Sequence, residues 1–466
     1  MGPSSSASLL LYYSRRRTGA TGVSGGVATS ALFFLPTSLA LLTSLLFVLY
    51  LFSTSTISPP HHLPLPDDLR RSQSPRLDPP GEYPVGRVGE VFAGGGVDAG
   101  IGLADVSTDT KGVKGGTPEI NVYHDRDIFL TDYRDMNRSF KIYIYPHRSD
   151  DLFKNVFAAV NFDPEGNYAS ESFFKKNLVG SHFVTDDHSS ADLFFMPFSI
   201  ARLRHDKRVG VAGIQDFIRD YVAYISREYP YWNRTGGADH FYVACHSIGR
   251  SAMRKANAVR LNGIQVVCSS SYHLSGYVSH KDASLPQIWP RHGDLPDVMS
   301  SRRARLAFFA GGMNSHAREK LFQFWTNDSE IFVHRGRLPT RYSDELLGSK
   351  FCLHVKGFEV NTARVADSLY YGCVPVIIAN HYDLPFSDVL NWKSFSVVVA
   401  TLDIPLLKKI LKGIDHDQYT VLQSNVMQVR KHFQWHSTPL DYDAFHMVML
   451  ELWLRRSSVR VPLNGF

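Results

Sequence analysis

The 466-residue chain is long enough for two domains, each with its own core. Hydrophobic residues at 44% and charged residues at 20% form an ordinary globular balance, which excludes wholesale disorder. The formal charge of +6 comes from Lys and Arg interleaved with Asp and Glu, with no basic block or basic-aromatic stripe, which argues against nucleic acid as a partner.

Residues 31–52 (ALFFLPTSLALLTSLLFVLYLF) run for twenty-two positions without a charge. That length predicts a membrane-spanning helix. Arg15, Arg16 and Arg17 precede it, and no Lys or Arg follows until Arg70. The positive-inside rule then leaves a cytosolic tail (1–30) and puts the rest of the chain on the luminal side. A cleaved signal peptide would have a shorter apolar region and a small-x-small site after it. Residues 53–136 are rich in Pro, Gly and Ser, including Pro59-Pro60 and Gly94-Gly95-Gly96, and are expected to form a flexible stem. Three sequons begin at Asn137, Asn233 and Asn327 and are expected to carry surface glycans.

Strand-like runs then alternate with helical periodicity. KIYIY at 141–145, Phe183-Val184, ADLFF at 191–195, HFYVA at 240–244 and IQVV at 264–267 are strands; 169–178 and 211–227 are amphipathic helices. A Pro-rich bridge at 287–301 leads to LAFFA at 306–310, which ends in Gly311-Gly312, with Ser315 placed to cap a following helix. No internal repeat stands out. Alternation of this kind predicts an α/β fold with two doubly wound domains, 137–298 and 299–466, whose last helical segments (417–430 and 445–456) return to the first.

Residues 349–378 (SKFCLHVKGFEVNTARVADSLYYGCVPVII) pack a strand, a loop, a helix and a strand into one βαβ unit. Asn361 or Thr362 caps the helix, and Gly372 ends it. Such a unit aims free N–H groups and a positive helix end at one point, where a phosphate would sit. Arg364 falls in the first turn of this helix and Arg318 in the first turn of the one after Gly311-Gly312, so both face the carboxyl edge of the sheet. Paired arginines suit a diphosphate leaving group, although each alone is as readily a surface ion pair. Gly357 admits close backbone approach. Glu359 and Asp367 are candidates for accepting bonds from ribose or sugar hydroxyls; alternatively Asp367 pairs with Arg364 and orders the helix. For the acceptor's proton, the first domain offers His246 and Asp239 as candidate bases, though a lone histidine is more often structural. The four cysteines have no CxxC spacing, so neither a zinc site nor a redox motif is indicated. Buried thiols or a Cys245–Cys268 bridge both fit the sequence.

FKIYIY from Phe140, YASE from Tyr168, ADLFFMPF from Ala191 and YWNRTGGADHF from Tyr231 resemble segments of the plant exostosin-type glycosyltransferases, family 47 of the inverting transferases. FFAGG from Phe308, SKFCL from Ser349, GCVPVI from Gly372 and LPFSDVLNW from Leu384 continue the resemblance in family order. It implies a GT-B architecture of two facing Rossmann-like domains behind a single-pass type II Golgi anchor. It implies a nucleotide-sugar co-substrate held by the second domain, a glycan acceptor, and no required metal or other cofactor. Where many members have C-P-S-G-Y-E-V-A-S-P-R-V-V-E-A-I, this chain reads HVKGFEVNTARVADSL from His354, so the expected glutamate is Asp367. Where many have C-H-D-W-G, it reads CHSIG from Cys245, so Ser247 replaces an acid and His246 stands alone. The expectation is an inverting transferase that moves a sugar, from UDP, to a cell-wall polysaccharide or glycoprotein glycan. The alternative is a non-catalytic scaffolding subunit among other glycosyltransferase subunits at the Golgi membrane.

Overall fold

The computed structural model describes residues 121–273, 276–291 and 295–456. The expected anchor and the stem up to residue 120 lie outside the described residues. The stem's expected end at 136 is too late: α1 (Arg126–Ser139) is already a capped helix, with Asp125 accepting from the Asp127 and Ile128 amides. It forms because Phe129, Tyr133 and Met136 recur at helical spacing and bury one face.

The strands are short and parallel, and the central ones are almost wholly buried while edge strands are only partly so, as expected where helices cover both faces. In the first lobe, β1 (Ile142–Ile144), α2 (Ala169–Val179), β2 (Leu193–Phe195), α3 (Gly210–Glu228), β3 (His240–Ala244), β4 (Ile264–Val267) and β5 (Ala283–Ser284) follow in turn. The sheet order is β1-β2-β3-β4-β5. Phe183-Val184 contributes only a parallel bridge on the free edge of β1, where the Ile142 amide donates to Phe183 O at 2.8 Å. Counted as a reduced second strand, it gives the doubly wound order 2-1-3-4-5-6.

The second lobe contains β6 (Arg305–Gly311), α4 (His316–Trp325), β7 (Ile331–Arg335), α5 (Tyr342–Gly348), β8 (Ser349–Val355), α6 (Arg364–Tyr370), β9 (Val374–Ile378) and β10 (Val397–Val398). Its order, β10-β9-β8-β6-β7, is the same winding with β7 as a full second strand and no sixth. The direction of winding reverses between β6 and β8, so a crevice opens outside their carboxyl ends.

Of the two helical segments expected to return, one does. α7 (His416–Val429) stays on the second lobe, where Asn425 Nδ2 donates to Ser394 O at 2.8 Å. α8 (Ala444–Arg456) packs on the first: Trp453 meets Phe140 edge-on at 5.7 Å, and Arg455 Nε donates to Asp282 O at 2.6 Å. The lobes are further tied where Tyr277 donates to Asp383 at 2.7 Å and the Asp383 amide donates to Ser270 O at 2.8 Å.

All four cysteines are paired, Cys245 with Cys268 (Cα–Cα 4.6 Å) and Cys352 with Cys373 (5.8 Å). The first links the carboxyl ends of neighbouring β3 and β4. The second was not foreseen, because apolar flanks at both positions read as buried thiols; parallel pairing of β8 with β9 brings them together. Each bridge closes a loop of about twenty residues, so Cys352→Ser should lower the unfolding free energy by about 2–4 kcal/mol in a denaturant titration. Thiol titration of the unreduced, denatured protein should find no free cysteine.

Candidate active site

Ser315 begins α4: its hydroxyl accepts from the Arg318 amide at 3.3 Å and donates to Lys356 O at 2.6 Å. This ties the loop after β6 to the loop after β8. The Arg318 side chain, 3% exposed, donates from Nε to Val355 O (3.1 Å) and from Nη1 to Gly312 O (3.0 Å). Arg364, at the start of α6, donates from Nε and Nη2 to Ala310 O at 3.2 and 2.7 Å. The two guanidinium carbons lie 5.4 and 5.2 Å from the centre of the same ring, Phe309. The sequence-predicted arginines are therefore brought together at the β6/β8 crevice.

Among the described residues neither arginine has a carboxylate at ion-pair distance. Every hydrogen-bond acceptor their guanidiniums have is a neutral backbone carbonyl. Burial, reinforced by the Arg364 charge, lowers the Arg318 pKa to about 10, so it stays protonated at neutral pH. Two neighbouring positive charges without an ion-paired carboxylate favour an anion with several oxygens.

Glycine makes the arrangement possible. A Cβ at Gly311 would lie 2.6 Å from Arg364 Nη2, and one at Gly357 would lie 3.0 Å from Arg318 Nη2. The amide of Gly357 is not free for a ligand, because it donates to Glu359 O at 3.0 Å. Gly357 thus serves the site by leaving room for a guanidinium rather than by cradling a phosphate itself.

The arginines open onto a cleft of about 450 Å³. Asn314, Tyr342, Asn361 and Asp367 line it from the second lobe, Asn167 from the first, and Gln287, Trp289 and Arg291 from the connecting segment. Burial pushes the Tyr342 phenol up to about 12, so it faces the cleft as a neutral hydroxyl. Asp367 lies in the cleft but bonds Arg291 Nη2 at 2.5 Å, not Arg364. Burial raises its pKa even though Arg291 pulls the other way. Arg291 was missed from the sequence, being 76 residues from its partner with nothing local to mark it.

Glu359 is not in the cleft lining. Its carboxylate accepts from the Ser269 hydroxyl just after β4, a latch between the lobes. Asp239 does not reach the cleft either. It sits before β3, at the amino end of a parallel strand, and is held by Arg234 (2.9 Å), Thr235 (2.6 Å) and His240 (2.7 Å). Burial opposes ionisation there, but those bonds prevail and lower its pKa. His246 is at the correct, carboxyl end of β3, its ring tilted against Tyr168 with centres 4.6 Å apart. However, its Nδ1 accepts the Ile248 amide at 3.1 Å, so the neutral ring carries its proton on Nε2 and offers no free basic nitrogen. Burial, then the Arg204 and His205 charges, lower its pKa. Asn233 and Asn327 are exposed, whereas Asn137 is half-buried near the end of α1.

His354, one of the positions that departs from the common pattern, has a clear job. Nε2 donates to Val360 O (2.8 Å) and Nδ1 pairs with the Thr362 hydroxyl (3.0 Å), fastening the loop that leads to Arg364. The corresponding crevice of the first lobe, between β1 and β2, is filled. Buried Glu171 in α2 accepts from the Ser199 hydroxyl and the Cys245 amide (3.0 Å). Buried Lys175 donates to Val156 O (2.9 Å) and Pro197 O. Among the described residues no group of His, Cys, Asp and Glu is arranged to hold a metal ion.

An exostosin GT47 domain model matches residues 136–414. In Arabidopsis thaliana, "Probable glycosyltransferase At5g03795" is 37% identical over 352 residues, covering 73% of this chain and 66% of that protein. "Probable glycosyltransferase At3g07620" is 33% identical over 380 residues, covering 78% of each. "Probable glucuronoxylan glucuronosyltransferase IRX7" is 26% identical over 338 residues, covering 65% of this chain and 74% of that one. The solved pneumococcal O-GlcNAc transferase GtfA, in complex with UDP and GlcNAc, aligns over 52% of this chain and 59% of its own at 9% identity, and a TM-score of 0.25 gives that likeness no weight.

Acid should loosen the site through His354. Burial lowers its pKa from 6.5 to about 3, so the unfolded chain takes up a proton near pH 6.5 and the folded chain does not. Its contribution is complete above pH 6.5 and is lost as pH falls towards 3, by about 1.4 kcal/mol per pH unit. Unfolding free energies should fall between pH 6 and 4, with buried His432, lowered to about 4, contributing in the same direction, and His354→Gln should reduce that fall by about one proton's worth.

Proposed function

The chain belongs to the exostosin GT47 family of glycosyltransferases, and from that premise we propose that it is an inverting, GT-B-type enzyme of the plant Golgi lumen, moving a sugar from a UDP-sugar to a cell-wall polysaccharide or a glycoprotein glycan. The observation that carries this reading is the pair Arg318 and Arg364, both lying over Phe309 without a carboxylate partner. As the bond from the sugar's anomeric carbon to the diphosphate breaks, negative charge collects on the leaving oxygens. Guanidiniums already fixed at that place stabilise it without reorganising. Their two charges also supply what a divalent ion would otherwise provide, which supports donor binding without a metal. Asp367, with Arg291 beside it, is the cleft carboxylate suited to a sugar or ribose hydroxyl.

Luminal residence draws support from the apolar segment 31–52, the two disulfides and the exposed sequons. A second reading, a nucleotide-sugar-binding subunit that scaffolds a synthase complex, draws support from the first lobe. There His246 has no free basic nitrogen and Asp239 lies at the far end of β3.

Arg364→Ala should weaken UDP binding on the order of tenfold or more, measured by calorimetry on protein whose thermal unfolding is unchanged. Wild-type affinity in that variant removes the arginine from the site. UDP binding without sugar transfer across donor and acceptor panels would favour the scaffold. Deglycosylation should release glycans from Asn233 and Asn327, and Asn137→Gln should leave the electrophoretic mobility unchanged.

A further inference from the structure

Strands β6, β8 and β9 are neighbours in the second sheet, so the loops that leave their carboxyl ends lie side by side, about 4.8 Å apart, along the rim of the arginine-lined crevice. Each loop displays an exposed large side chain: Met313 after β6, Phe358 after β8 and His381 after β9. Phe358 stands out, at 83% exposed. The first lobe extends the row. Its segment after β4 runs antiparallel to the one after β9, through the bridge between Ser271 and Tyr382 and the bond from the Tyr272 amide to His381 O at 3.2 Å. His273 is thereby stacked on His381 with ring centres 4.6 Å apart, and Tyr272, 57% exposed, meets the same imidazole edge-on at 5.4 Å.

The turn that carries Phe358 is fastened on several sides. Lys356 O accepts from the Ser315 hydroxyl at 2.6 Å, and the Lys356 amide donates to Ile378 O at 3.1 Å. The Gly357 amide donates to Glu359 O at 3.0 Å, and the Glu359 carboxylate accepts from Ser269. A solitary apolar residue at a surface is ordinary, but a row of them on fixed loops that continues from one lobe to the other marks a binding surface. Met313, Phe358 and Tyr272 carry no charge. Of the charged residues on the turn, Glu359 is engaged by Ser269 and Lys356 is half-buried. Flat rings beside a phenol hydroxyl and imidazole nitrogens match a ligand whose faces are C–H and whose edges are hydroxyl, which describes a neutral sugar chain.

We infer that this row is a docking track for the acceptor: an extended neutral glycan lies along the rim with sugar rings on Phe358 and Tyr272, and its reacting end turns into the crevice beside Arg318 and Arg364. The inference rests on reading that crevice as the nucleotide-sugar site. Neighbouring strand ends stand about one sugar residue apart, so an extended polysaccharide meets several displayed groups at once, whereas a short glycan meets one.

The test measures binding of UDP, and of xylan, glucan and galactan oligosaccharides of two and of six residues, to the full chain in detergent. At least one six-residue chain should bind about tenfold or more tighter than its two-residue fragment. Phe358→Ala and Tyr272→Ala, both at exposed positions, should each narrow that advantage about three- to tenfold, with UDP affinity unchanged. Phe358→Tyr keeps the ring and should retain the advantage; Phe324→Ala, at an exposed ring in the last turn of α4, should not alter it. The track is overturned by a wild-type protein that binds none of the six-residue chains, or binds long and short chains equally, and by wild-type chain affinity in both alanine variants. A change of oligomeric state in Phe358→Ala, seen by light scattering with chain binding intact, makes the ring a protein contact and overturns the track likewise. Failure of UDP to bind the wild type sinks the crevice reading instead, and ring-dependent chain binding would uphold the track even then.

Discussion

Two like charges held side by side on one aromatic ring are the constraint around which the second lobe is arranged. Left to themselves, Arg318 and Arg364 repel, and burial deprives them of water. The fold compensates in part with carbonyls at the strand ends, Ala310, Gly312 and Val355, and with two glycines whose missing Cβ atoms make the space. None of these carries a full negative charge, so the neutralisation is incomplete without an anion. Strain of this local kind persists when the surroundings over-determine it, and it is where ligand binding has most to gain.

Much of this could be read from the sequence because it is local. The 349–378 unit announces itself by a change from strand to helix periodicity, and first-turn arginines inherit their direction from the helix they start. Distance along the chain hid the rest. Arg291 and Asp367 are 76 residues apart and meet only in the tertiary fold, and Cys352 and Cys373 are brought together by the pairing of β8 with β9. Asp239 and His246 flank the same strand, and proximity in sequence disguised the fact that they lie at the amino and carboxyl edges of the sheet respectively. Gly357 was found for an incomplete reason, since the atom it accommodates belongs to the protein.

The cleft is also a joint. Glu359 reaches across to Ser269, Arg291 on the connecting segment grips Asp367, and α8 crosses back over the first lobe. The loop beside the arginines is therefore fastened to both lobes, so the relative position of the lobes and the shape of that loop are set together rather than separately. His354 adds a fastening from beneath, tying the floor of the loop to β8.

The two lobes share one winding order, and their first helices occupy equivalent places. At the third position of each stands a side chain of opposite sign, Glu171 in α2 and Arg318 in α4. Glu171 is answered from within by Ser199, the Cys245 amide and nearby Lys175, so that half of the molecule is electrically complete. Arg318 is answered only by neutral carbonyls, Val355 O and Gly312 O. A near-duplicate architecture has in this way become asymmetric: one crevice is plugged by its own side chains, and the other opens onto a cleft lined by polar groups. A single residue's sign, at matched places in twin frameworks, separates the crevice closed by its own side chains from the one that opens onto the cleft.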